Sequence, residues 1–242
     1  MRYLLTILLL VAYSVNICAS DDGGEENVLD SHNIIQALIK EDVSESRSIS
    51  LQYTHQIRSI ARNFRIKADK WKSDKKLLKN LFHSVHQDFL HKYKPYDSFE
   101  ALMTKGNYGC LSATTLYALI LEELGFDYDI VELNFHIYLT VKSGEKLFLI
   151  ESTDPTYGFI SNQRRIAEKL QEYKEGNHAD GANKYNYEVS LNNNITLREL
   201  IGLQYYNESV QAFNTGEIYE ALELLNKAAT YYSLQGLPSL LT

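Results

Sequence analysis

Residues 107–156 read NYGCLSATTLYALILEELGFDYDIVELNFHIYLTVKSGEKLFLIESTDPT. A helix comes first. Gly109 breaks the preceding segment, Cys110 opens the periodic run, and Leu111, Leu116, Ala118, Leu119 and Leu121 recur at three- and four-residue steps. Gly125 follows Glu122-Glu123-Leu124 as the C-terminal stop. Cys110 is therefore expected at a helix N-terminus. Unpaired amides and the positive end of the dipole favour a thiolate there, and the thiolate is the nucleophilic form.

A hairpin comes next. Phe126 to Leu133, His136 to Lys142 and Lys146 to Glu151 are strand-like, and Ser143-Gly144 is a turn signal. With a two-residue turn at Ser143-Gly144, Lys142 faces Glu145, Leu139 faces Phe148 and His136 faces Glu151. Opposed side chains share a face, with Cβ atoms about 4.5–5.5 Å apart, within reach for a carboxylate to hold an imidazole. Cys110, His136 and Glu151 then fill the roles of nucleophile, base and orienting group. A three-residue turn shifts the register and makes Asp154 the better third member. The Cys110 amide is a natural oxyanion donor, and Asn107 and Tyr108 are the nearby candidates for a second.

A Cys opening a helix after a glycine, a strand starting with His, and a strand ending in an acid followed by x-Thr resemble the transglutaminase-like superfamily. The resemblance spans roughly residues 75–160, by the order of elements. It implies an α+β fold with a papain-like transglutaminase core, in which helices pack on a small antiparallel sheet. It also implies a Cys-His-acid triad acting on amide bonds of a peptide or protein substrate, without a cofactor. Cys110 matches the family nucleophile and His136 its base. Glu151-Ser152-Thr153 matches the family Asp-x-Thr with Glu for Asp, and Asp154-Pro155-Thr156 matches it three residues later. Tyr138 stands at the family's aromatic position after the His. Thr140 and Leu147 stand where the family often has an acid and a Trp.

Around this stretch, 242 residues at 45% hydrophobic content supply ample material for a core. A net charge of −7 argues against a nucleic-acid partner. Residues 1–19 read as a signal peptide, with Arg2 as the positive region and Leu4 to Val11 as a short apolar core. The chain is thus expected to be exported, periplasmic or secreted, with no integral membrane domain after cleavage; a lipoprotein acylated at Cys18 is the second reading. Either way Cys18 leaves the arithmetic, and Cys110 remains as a thiol that no intrachain disulfide can use. Residues 20–30 form an acidic linker.

Residues 31–195 are expected to form the transglutaminase-like domain. Helices are expected at Ser31 to Lys40, Ile49 to Ala68, Lys75 to Tyr93, Ser98 to Met103 and Gln163 to Lys174, with a possible edge strand at Tyr185 to Leu191 and a loop at 176–184. Arg58, Arg62 and Arg65 read as a solvated basic face. His83, His86 and His91 do not share one tight helical face, so they read as surface histidines rather than metal ligands. Trp71 reads as a core anchor. Residues 196–242 are expected to form a tetratricopeptide-like tail, two helices at Thr196 to Phe213 and Glu217 to Tyr232 joined near Gly216. One such unit must dock on its own domain or on a protein partner, and Leu237 to Leu241 would cap it. The competing functional reading is an inactive domain that serves as a binding module.

Overall fold

The computed structural model describes residues 31–39, 43–133, 136–174 and 193–232. The signal peptide, the acidic linker, the 176–184 loop, the Tyr185 to Leu191 strand and the Leu237 to Leu241 cap lie outside them. The fold is α+β, mainly helical, with one antiparallel sheet of five strands among the described residues.

Three helices open the described residues: α1 (Ser31–Ala37), α2 (Val43–Trp71) and α3 (Asp74–Asp88). The second runs 29 residues; Tyr53, Ile57, Ala61 and Phe64 form its buried stripe, at the three- and four-residue spacing of one helical face. Its basic face is not simply solvated. Arg58 Nε pairs with Glu123 at 3.0 Å, and Arg65 donates to the Glu123 carbonyl. The two arginines therefore grip the C-terminal end of the helix Cys110–Leu124, where a positive charge complements the dipole. Trp71 packs partly buried, its ring 6.4 Å from that of Phe64. Ser73 caps α3 through a bond from the Lys76 amide, and the apolar stripe Leu77, Leu78, Leu81, Phe82 and Val85 is buried.

The strand β1 (Lys92–Tyr93), the helix α4 (Phe99–Lys105) and the strand β2 (Asn107–Tyr108) lead into α5 (Cys110–Leu124). The two short strands pair in parallel. The body of α5 is hydrophobic all round, with Leu116, Tyr117, Leu119, Ile120 and Leu121 fully buried. This is the pattern of a helix enclosed by other elements rather than lying on a surface.

The sheet is built from β3 (Asp127–Leu133), β4 (His136–Ser143), β5 (Lys146–Ile150), β6 (Phe159–Ile160) and β7 (Asn193–Ile195), in spatial order β6-β5-β4-β3-β7. Side chains alternate between its faces. Ile130, Ile137, Leu139, Val141, Phe148 and Ile150 join the main core with α5. Val131, Leu133, Tyr138, Leu149 and Ile160 face the other way, under Ile166, Leu170 and Tyr173 of α6 (Gln163–Lys174). The sheet is thus covered on both faces.

The β4–β5 register differs from the expectation by two residues. Ser143 pairs with Lys146, Lys142 with Leu147 and Leu139 with Ile150, so the turn is Gly144-Glu145. Gly144 takes the positive φ of 57° that opens this turn. A slip of two preserves which face each side chain occupies.

The C-terminal pair, α7 (Leu197–Thr215) and α8 (Ile218–Tyr231), packs on the rest of the chain. A reciprocal Thr196–Glu199 capping box starts α7. Leu200, Ile201, Leu203 and Tyr232 enter the main core. Gln204 bridges two other elements, accepting from the Phe99 amide at 3.0 Å and donating to the Leu38 carbonyl at 3.2 Å. No helix among the described residues is long and apolar enough to cross a membrane.

Candidate active site

The end of the sheet where β4 begins and β5 ends gathers the chemically capable side chains. His136 is the first residue of β4, and Glu151 follows the last residue of β5. Extending the observed register by one step sets Glu151 opposite Tyr138, so His136 and Glu151 are diagonal rather than direct neighbours. They share a face all the same, and His136 Nε2 lies 2.7 Å from Glu151 Oε2. Glu151 is held from several sides. Its amide donates to the Gly158 carbonyl at 2.8 Å, Thr153 Oγ1 donates to Oε1 at 3.4 Å, and the Tyr173 hydroxyl donates to Oε2 at 2.5 Å. A Cβ at Gly158 would collide with the carbonyls of Glu151 and Asp154, so only glycine lets this turn close behind the carboxylate.

Cys110 stands at the same end of the molecule, in the first turn of α5. Ser152, the residue after Glu151, reaches the Cys110 carbonyl at 3.4 Å and lies 3.0 Å from Thr114 Oγ1, one turn along the same helix. Alternation explains the division: Ile150 and Ser152 face α5, while Glu151 between them faces α6. The loop before Cys110 is tightly folded. Lys94 N donates to the Tyr108 carbonyl at 2.8 Å. A Cβ at Gly109 would come within 3.2 Å of Tyr96 N and 3.3 Å of the Lys94 carbonyl. The Gly109 amide is taken by Ser112 Oγ at 3.0 Å.

The resting state of the thiol differs from the expectation. Burial pushes Cys110 up, and the Glu151 charge adds to the effect; hydrogen bonds from the Leu111 and Cys110 amides pull it down without prevailing. The helix N-terminus does act on the sulfur, but desolvation outweighs it. Tyr93 is raised by burial first, then by the charges of Cys110 and Glu151 among others, which puts all three groups within electrostatic range.

Asp154, the alternative acid, is engaged in its own turn. Its Oδ1 accepts from the Thr156 and Tyr157 amides at 3.0 and 2.9 Å, and its carbonyl accepts from the Gly158 amide. Of the four sequence candidates, His136 and Glu151 are joined directly, the Cys110 main chain is bonded by Ser152, the residue after Glu151, and Asp154 serves the turn. Tyr173 was missed, because it comes from a separate helix; its only sequence signal is the stripe Ile166, Leu170, Tyr173 at helical spacing. Asn107 and Tyr108 form β2, and neither stands out as a second oxyanion donor.

His86 is not a surface histidine. Its ring lies 4.5 Å from Phe82, 6.4 Å from Tyr108 and 6.2 Å from Tyr117, centroid to centroid. Both ring nitrogens are buried, with no hydrogen-bond partner among the described residues. Burial first, then the nearby His83 charge, lower its pKa to about 4 against a smaller opposing pull from Asp154. Among the described residues no group of three or more His, Cys, Asp or Glu is arranged to hold a metal ion.

Compared with known proteins, the chain matches no family model, no curated sequence and no solved structure.

Proposed function

We propose that this chain is an exported transglutaminase-like cysteine enzyme with a papain-like core, a hydrolase or acyltransferase acting on amide bonds of peptides or proteins. The observation that carries the reading is the 2.7 Å His136–Glu151 pair at the end of the sheet where α5 presents Cys110. A base held by a buried acid, at the end of the sheet that also carries a helix-terminal thiol, supplies the groups that nucleophilic acyl transfer requires. With Nε2–H donated to Glu151, the neutral imidazole keeps its lone pair on Nδ1, and that nitrogen is the base. Because burial holds the thiol up, the proton moves from Sγ to His136 as sulfur attacks the acyl carbon. The imidazolium then gives that proton to the leaving amine as the C–N bond breaks. Glu151 stabilises the imidazolium and fixes its tautomer without itself taking the proton. Water as second acceptor completes hydrolysis; an amine completes transamidation. The Cys110 amide is the first candidate oxyanion donor. The signal peptide read at residues 1–19 supports export.

The test is iodoacetamide labelling of residues 20–242 across pH 5–10, with Cys110→Ala, His136→Asn, Glu151→Gln and Asp154→Asn compared one at a time. Labelling confined to Cys110, slowed at neutral pH by His136→Asn and Glu151→Gln and untouched by Asp154→Asn, supports the reading. Equal rates in wild type and His136→Asn reject it.

One observation favours a second reading, an inactive domain that binds a protein. The raised thiol of Cys110 is the state of an unreactive cysteine. Val210, Ile218 and Tyr219 on the C-terminal helix pair are exposed and would be the surface offered to a partner. Absence of fast alkylation at pH 6 together with an intact fold favours this reading.

A further inference from the structure

Glu151 Oε2 receives two donors at once, His136 Nε2 at 2.7 Å and the Tyr173 hydroxyl at 2.5 Å. Tyr173 is 5% exposed, and its ring stacks on Tyr138 at 4.9 Å and lies 5.8 Å from the His136 ring. His136 and Tyr138 stack in turn at 6.4 Å. The imidazole is thereby walled by two tyrosines, one of which also holds its acid. Packing alone does not call for the hydroxyl. A phenylalanine would fill the same slot under Ile166 and Leu170 and spare the burial of a polar group. What the hydroxyl adds is a fixed direction for the carboxylate and a share of its charge.

Resting on the cysteine-enzyme reading of this site, we propose that Tyr173 is a positioning residue that locks Glu151 onto His136 and limits how strongly the carboxylate pulls on the imidazole. Among the described residues, other groups near the pair include Lys169 on α6, whose Nζ lies 5.0 Å from the Tyr173 ring centre, Glu172 on the same helix, Tyr138 on β4 and Thr153 after β5; Cys110 on α5 and Tyr93 on β1 feel the Glu151 charge. Burial and the Glu151 charge push the Tyr173 phenol far above its ordinary value, so it remains a donor throughout the pH range in which a histidine titrates. A charge-assisted bond of this kind is short and roughly twice as strong as a neutral one. Without it the full carboxylate charge acts on the imidazolium, which favours the protonated ring.

Two measurements on the protein test this. The first follows the His136 ring by NMR across pH in wild type, Tyr173→Phe, Glu151→Gln and the double variant. Tyr173→Phe is expected to raise the His136 midpoint, with the protonation equilibrium changing about three- to tenfold, the range expected when a charged partner's bond is altered. In the Glu151→Gln background the same change is expected to do nothing, because no carboxylate remains to be tuned. A purely structural Tyr173 gives the same effect in both backgrounds, and a midpoint unmoved by Tyr173→Phe overturns the proposal. The second is the iodoacetamide rate of Cys110, expected to rise about three- to tenfold at neutral pH in Tyr173→Phe, because a better-held imidazolium favours its thiolate partner; a fall overturns the proposal. The NMR readout does not use the thiol. If His136→Asn leaves alkylation unchanged, the enzyme reading fails, while the His136 titration still decides the role of Tyr173.

Discussion

Glu151→Gln removes one charge and keeps nearly the same volume at the centre of the site. Two effects of opposite sign follow from the structure. The Glu151 charge helps hold the Cys110 thiol protonated, so its removal lets the thiol ionise at lower pH. The same charge lies 2.7 Å from His136 Nε2, with both side chains mostly buried, so its removal destabilises the imidazolium that must form when sulfur attacks. The loss of a hydrogen bond to a charged group costs about 1.5–3 kcal/mol, a factor of roughly 10 to 150 in the population of the thiolate–imidazolium pair. The second effect is expected to dominate at neutral pH and the first above the thiol's own titration. The pH profile of iodoacetamide alkylation should therefore cross that of wild type, slower near pH 7 and with its alkaline limb moved to lower pH. Quantifying adducts by intact mass reads both limbs in one experiment. Superimposable curves for wild type and Glu151→Gln refute the reasoning, as does a loss at neutral pH produced by Asp154→Asn instead.

Three further outcomes are expected. The aromatic cage lowers the folded-state pKa of His86 from 6.5 to about 4, so the unfolded chain binds the proton first and stability falls as pH drops from 6.5 towards 4; discounted for the part of the ring that water reaches, the loss is on the order of 1–2 kcal/mol. Thermal melts between pH 7 and 4 should show this loss reduced in His86→Phe, and equal slopes in the two proteins would count against it. Gly158→Ala forces the turn away from the Glu151 carbonyl, and should slow Cys110 alkylation at neutral pH and destabilise the fold by about 1–3 kcal/mol, measured by urea unfolding. Tyr117→Phe removes the bond its hydroxyl donates to the Phe82 carbonyl at 2.9 Å inside the core, and should cost about 0.5–1.5 kcal/mol with the alkylation profile unchanged.

Much of this fold is legible locally. The Cys110 helix, the β3–β4–β5 meander, α6 and the C-terminal pair each announce themselves by period and by glycine stops, since those signals need only neighbours in the chain. The hairpin turn is the instructive difference. Ser143-Gly144 and Gly144-Glu145 both put the glycine in the turn, and local sequence does not separate them. Because the two registers differ by two residues, the His136–Glu151 face survives the change and the contact becomes diagonal. What the sequence does not disclose is long-range. Tyr173 reaches Glu151 from a helix beyond the sheet, and His86 is enclosed by Tyr108 and Tyr117 from two other elements. The parallel β1–β2 pair is two residues long and carries no periodic signal. The state of the Cys110 thiol depends on burial by the assembled fold, which reverses the outcome expected from the helix N-terminus alone.

The central claim is that sulfur, imidazole and carboxylate act as one unit, and the most direct measurement is the titration of the His136 ring by NMR before and after the Cys110 thiol is blocked. Coupled groups share their titration steps. The account predicts that converting Cys110 to a neutral adduct removes a second inflection of the His136 ring at alkaline pH, where the thiol ionises. A His136 curve identical in the free and blocked protein would contradict it.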